Sequence, residues 1–142
     1  MNADRIFLDA NILFSVAYGS KGLKYLWDCH KEGICILLAS EYVIEEARRN
    51  LYSTAQLKRL DQYLAAVEIL PEADPTIPCP IDLPAKDKPV FMAAAIAKAD
   101  FLLTGDVTHF GKYFDQTHGG VIISSVRNYF KMKEKVANSK PV

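Results

Sequence analysis

The sequence lacks an excess of either charge: 17 basic residues stand against 17 acidic ones. A phosphate-rich partner normally selects a positive surplus, so any nucleic-acid binding must rest on local patches or on bound metal. Cysteine is scarce. Cys29, Cys35 and Cys79 are 3 in number, odd and without C-x-x-C spacing, so neither a disulfide framework nor a zinc site is indicated; all read as structural thiols of a reduced, cytosolic chain. No apolar run approaches the roughly 20 residues of a membrane span, and no apolar segment follows a basic start. Neither export nor membrane insertion is expected, and the cytoplasm is the expected location. No G-x-G-x-x-G follows the first apolar run, which removes dinucleotide binding. Internal repeats and low-complexity blocks are also missing.

What is there suffices for a core. With 142 residues, 50% of them hydrophobic, one domain is expected over residues 1–136, with 137–142 as a frayed tail after the charged run Lys131-Met132-Lys133-Glu134-Lys135. Ile6 to Leu8 and Ile34 to Leu38 are short apolar runs, the second continuous enough for a strand buried on both faces. Val67–Leu70, Phe101–Thr104 and Val121–Ile123 supply three more candidates, with helical patterns between. Strands alternating with helices give the α/β class.

Leu23, Leu26 and Trp27 share one face of the first long helix. Ser40 is placed to cap the helix running to about Tyr52, Ser53 or Thr54 the next, and Ser124 the last. Pro71, Pro75, Pro78, Pro80 and Pro84 exclude helix interior and mark a surface loop.

Two strands end in aspartate, at Phe7-Leu8-Asp9-Ala10-Asn11 and at Leu102-Leu103-Thr104-Gly105-Asp106. If both lie parallel in one open sheet, the two carboxylates emerge at the same edge, in the crevice where such folds bind ligands. Unscreened, they would repel, so a hard cation with oxygen ligands, Mg2+ or Mn2+, explains the pairing best. Glu45 and Glu46 divide by helical geometry. Glu46 lies about 100 degrees from the stripe of Val43, Ala47 and Leu51 and can lean over the sheet edge, whereas Glu45 points about 160 degrees away. Glu45 has Arg49 four residues on as a surface ion-pair partner. Asp87 opens an alanine-rich helix with Pro89 in its first turn; the cap and metal-ligand readings are compatible, because a helix N-terminus keeps a carboxylate ionised.

Asp-x-Asn, then Glu on the second long helix, then Asp before an alanine-rich helix, then Thr-Gly-Asp after a strand: from Asp9 to about Phe130 this order resembles a PIN domain. The resemblance implies a PIN-like three-layer sandwich with a five-stranded parallel sheet, order 3-2-1-4-5, flanked by helices, and an acidic pocket that binds Mg2+ or Mn2+ for RNA cleavage. Asp9, Glu46, Asp87 and Asp106 match the acidic quartet, and Asn11, Ser40 and Thr104 match polar neighbours often found beside it. Many small members are VapC-like toxins, which implies an antitoxin protein and a homodimer as partners. Where many relatives carry a further acid after the last aspartate, this chain has Val107, Thr108 and His109, which weakens the case for a tightly bound second ion.

Phosphodiester hydrolysis needs an activated water and relief of charge on phosphate oxygens, and a divalent ion can supply both. The favoured arrangement has Asp9 and Asp106 as direct ligands, with Asp87 and Glu46 acting through water. The plain alternative makes Asp9 and Asp106 turn and capping residues. One such coincidence is common; four in family order are not. His109, with Phe110, either anchors the loop after Asp106 or contacts substrate phosphate. Arg48, Arg49, Lys58 and Arg59 form a candidate basic strip, although charged helix faces are usually just solvated. Tyr18, Tyr25, Trp27 and Tyr42 could stack on bases, but aromatics at helical spacing are more often core or interface.

Three functions compete. A metal-dependent ribonuclease is the expectation, and a non-catalytic PIN-like module binding RNA or protein is the alternative. An aspartyl-phosphate phosphatase or receiver domain fits less well, because the phosphatase pattern wants a second aspartate where Asn11 stands, and neither scheme accounts for Glu46.

Overall fold

The computed structural model describes residues 2–139. In chain order its elements are β1 (Asp4–Leu8), α1 (Ala10–Tyr18), α2 (Lys21–Lys31), β2 (Cys35–Ser40), α3 (Glu41–Asn50), α4 (Thr54–Leu64), β3 (Val67–Leu70), α5 (Lys88–Ile96), β4 (Phe101–Leu103), α6 (Val107–Phe110), a 3-10 turn (Gly111–Tyr113), β5 (Gln116–His118), β6 (Val121–Ser124) and α7 (Val126–Ser139). The expected α/β alternation is present. The expected tail includes residues 140–142, which lie outside the described residues.

One sheet runs β3-β2-β1-β4-β6-β5, with every pair parallel except β5 with β6. The parallel order expected from the sequence holds, with β6 in fifth place, but the sheet has six strands rather than five. The extra strand, Gln116-Thr117-His118, has no apolar run to announce it. It is made by a hairpin turn at Gly119 and Gly120, whose φ values of 56° and 81° are those a two-residue turn between twisted strands demands. A Cβ on Gly119 would lie 3.3 Å from the ring of Phe91 on α5, so the hairpin packs against that helix.

The core strands are almost wholly apolar, as parallel strands between helices should be. Ile6, Phe7, Leu8, Leu37, Leu38, Leu102 and Leu103 are all fully buried. Ile36 departs from the expectation that its strand is covered on both faces: paired with Arg5 on β1, it stays exposed. α1 was not foreseeable from periodicity, because Ala10, Ile12, Leu13, Val16 and Ala17 are all buried where it packs against α3 and α4. A helix covered on most sides loses its polar face.

Capping confirms some sequence expectations and corrects others. Ser53 caps α4 by accepting from Gln56 N–H at 3.0 Å. The cap of α7 is Ser125, which accepts from Asn128 N–H at 3.0 Å; Ser124 closes β6 instead and donates its hydroxyl to Asp115. Ser40 stands at the N-cap position of α3 but makes no capping bond with its side chain, and neither does Asp87 at the start of α5. Their polar atoms are free for other partners. The proline-rich segment forms no helix or strand. It is held by the buried Ile81 and Leu83 and by Tyr113, whose hydroxyl accepts from Asp82 N–H at 3.0 Å and donates to Asp82 O at 2.8 Å.

Candidate functional site

The site forms where the strand order reverses, between β1 and β4, the place where open α/β sheets bind ligands. Leu8 is paired with Leu103, and Asp9 N–H donates to Leu103 O at 3.1 Å. Asp9 and Thr104 therefore leave the sheet side by side. The chain needs both residues polar here, since the next elements turn away and open a cleft of about 430 Å³.

All four acids singled out in the sequence line this cleft: Asp9 ahead of α1, Glu46 on α3, Asp87 ahead of α5 and Asp106 ahead of α6. Glu46 is half-buried and Glu45 is exposed, as the helical geometry requires. The surface pair of Glu45 with Arg49 is not formed; Arg48 pairs with Asp61 instead, at 2.9 Å. α5 packs against β4 and α3, with Ala93 and Ala94 buried in that approach. This brings the N-terminal end of α5, and with it Asp87, to the sheet edge.

A hydrogen-bond network fixes the β1/β4 end. Asp9 Oδ1 accepts from Ala10 N–H at 2.7 Å. Its Oδ2 accepts from Thr104 Oγ1 at 2.8 Å and from Asn11 Nδ2 at 3.3 Å. Asn11 Nδ2 also reaches Thr104 Oγ1 at 3.1 Å, and its Oδ1 accepts from Gly105 N–H at 2.7 Å. Thr104 Oγ1 in turn accepts from Asp106 N–H at 3.0 Å. A Cβ at residue 105 would come within 3.3 Å of Asn11 Oδ1, so glycine is what lets the Asn11 amide close on the backbone. Ser40 is fully buried at the end of β2, its hydroxyl without a hydrogen-bond partner, and it does not line the cleft.

Asp106 also serves as the cap foreseen by the plain alternative, accepting from His109 N–H at 3.0 Å. His109 Nδ1 lies 2.7 Å from Asp106 Oδ2 and 3.0 Å from Asp87 Oδ2. An imidazole nitrogen carries at most one hydrogen. It serves Asp106, and Asp87 Oδ2 is left buried without a hydrogen-bond partner. The ligand atoms of Asp87, Asp106 and His109 all fall within 4.8 Å of one another.

The electrostatics are those of crowded acids in a low-dielectric cleft. Burial pushes the Asp9 carboxyl up to about 6, with the charges of Glu46 and Asp87 adding to it and the bonds from Thr104 and Ala10 opposing. Burial also raises Asp87, helped by Asp106 and Glu46, while His109 and Lys86 hold it down. This donor set fits a hard divalent cation: it offers carboxylate oxygens, one of them buried without a hydrogen bond, and its charges disfavour one another until a cation joins them.

Tyr52, Phe14 and Asn50 line the cleft as well and were not anticipated. Tyr52 is 90% exposed; the signal was an aromatic just beyond the stripe of α3, ahead of the Ser53 cap. Of the candidate stacking residues, Trp27 is buried and donates its indole N–H to Tyr63 O at 3.0 Å. Tyr42 donates its hydroxyl to Lys86 O at 2.7 Å. The basic strip is partly consumed, since Arg59 also donates to Ala17 O at 2.8 Å. Among the described residues, no helix is long and apolar enough to cross a membrane.

The PIN domain family model matches residues 5–108. A chain of VapBC2 from Rickettsia felis, solved as a crystal structure bound to a DNA fragment from their promoter, is similar in fold. That match has a TM-score of 0.61 at 14% sequence identity and covers 85% of this chain and 98% of that one. No curated protein matches the sequence.

Proposed function

The chain belongs to the PIN domain family, and from that premise we propose that it is a metal-dependent ribonuclease. The observation that carries this reading is the convergence of Asp9, Glu46, Asp87 and Asp106, from four separate parts of the chain, in one cleft. The ion is Mg2+ or Mn2+, as oxygen donors favour.

Asp9, Asp87 and Asp106 would hold the ion. When bound, it supplies Lewis acidity against the phosphate and makes water a stronger acid. The residues around it do the rest. Asn11 and Thr104 lock Asp9 in place, both lone pairs of its Oδ2 being taken, so Oδ1 keeps the free capacity. Half-buried Glu46 is placed to orient a water by accepting its hydrogen. Lys86 at the cleft wall offers a cation to the RNA backbone, compensating for a chain without net positive charge. A VapC-like toxin working in the cytoplasm as a homodimer, with a small antitoxin as partner, belongs to the same proposal; family membership and the fold shared with VapBC2 support it.

The test is Mn2+-dependent cleavage of a panel of structured and single-stranded RNAs by wild type and by Asp9→Asn. Loss of cleavage in the variant is expected. Equal cleavage by both would overturn the site, and absence of any carboxylate-dependent metal response would favour a non-catalytic RNA- or protein-binding module.

A further inference from the structure

We propose that His109 is a direct nitrogen ligand of the metal, forming with Asp87 and Asp106 a centre that prefers a first-row transition ion such as Mn2+ over Mg2+. The proposal rests on the nuclease reading of the same cleft and names the ion that cleft selects.

Three observations carry it. His109 Nδ1 stands 2.7 Å and 3.0 Å from oxygens of Asp106 and Asp87. Ligands that share one small cation through bonds of about 2.1 Å keep a separation of about 3 Å, so the nitrogen already stands at ligand spacing from each carboxylate, and the three ligand atoms all lie within 4.8 Å of one another. Next, Asp87 Oδ2 is buried and accepts no hydrogen bond although it faces this nitrogen. Exchanging the single imidazole hydrogen for a cation gives both carboxylates a positive partner at once. Finally, the backbone that carries the ring is fixed. Phe110, the next residue, is fully buried, and Asp106 caps the turn through His109 N–H, so little ordering is needed on binding.

The identity of the donor decides the ion. Carboxylate and water suit Mg2+, whereas an imidazole nitrogen adds affinity for transition ions and contributes little to Mg2+. Asp9, with three hydrogen bonds to its carboxylate, is the more restricted member of the cleft. His109 supplies what a further acid would have supplied, and it changes the selectivity.

The experiment uses the full chain. Mn2+ is bound and its coupling to 14N is read by pulsed electron paramagnetic resonance, and affinities for Mn2+ and Mg2+ are measured by calorimetry for wild type, His109→Asn and His109→Ala. The expected result is a 14N coupling in wild type that disappears in both variants. In His109→Asn, whose amide oxygen falls near the position of Nδ1, the preference for Mn2+ over Mg2+ should shrink about tenfold or more while Mg2+ binding is kept. Bound Mn2+ without 14N coupling in wild type overturns the proposal even if a variant fails to fold, and so does an unchanged preference in His109→Asn. If RNA cleavage persists in that case, only the histidine assignment falls. If wild type binds neither ion, the nuclease reading falls with it.

Discussion

Thr104 donates to Asp9 at 2.8 Å across the boundary between β1 and β4 while accepting from the backbone of Asp106 at 3.0 Å. One hydroxyl thus fixes the spacing between the two strand-end aspartates. Thr104→Val keeps the shape and removes the bonds. The part-buried Asp106 N–H loses its partner and Asp9 Oδ2 keeps only Asn11, so a loss of about 1–3 kcal/mol is expected in denaturant melts. Cleavage should fall by roughly 10- to 100-fold, as happens when groups that orient metal ligands are removed.

Asp106→Asn should abolish cleavage, as is expected for Asp9→Asn, and chelation should do the same to wild type. Glu45→Gln should leave the rate within about twofold, since Glu45 is exposed and points nearly opposite the buried stripe of its helix, outside the cleft. A comparable loss in Glu45→Gln would show that total acidity matters and the cleft does not.

The metal-free fold should respond to pH through Asp9. Its carboxyl is raised to about 6 by burial, so the folded state holds the proton more tightly than the unfolded chain does. The stability this contributes is fully present below about pH 4 and is lost as pH rises through about 6. Asp9→Asn has no proton to lose. In chelator, the variant should therefore gain on wild type between pH 4.5 and 7.5, by on the order of 2 kcal/mol. Melts that keep a constant difference across that range would place Asp9 in a solvated setting instead.

Thiol labelling should separate the cysteines. Burial pushes Cys35 up to about 12, and the thiolate is the reactive form. Cys79, half-buried in the proline-rich loop, should take up iodoacetamide first in the native protein at pH 8. Cys29 and Cys35, both buried, should label only on unfolding, as mass spectrometry of the digests would show.

Much of this site was legible because its physics is local. The end of an apolar run places Asp9 and Asp106, and a stripe of Val43, Ala47 and Leu51 decides between Glu45 and Glu46. Where tertiary packing alone decides, the sequence is silent. Nothing in it brings His109 against Asp87, which sits on another helix. Ser124 and Ser125 are chemically alike, and only the chain path assigns one to β6 and the other to the cap of α7. α1 showed no periodicity because it is covered nearly all round, and β5 is polar because it is an edge. Its Gly119-Gly120 turn was the one available sign.

That edge hairpin reaches further than its position suggests. Gly119 abuts Phe91, and Phe91 lies fully buried on the same helix that Asp87 opens. The hairpin turn therefore abuts α5: a side chain at residue 119 would require Phe91, or the helix that carries it, to give way, and Asp87 stands at the start of that helix. A segment on the rim of the sheet thus bears, through one buried ring, on the helix that brings Asp87 to the cleft.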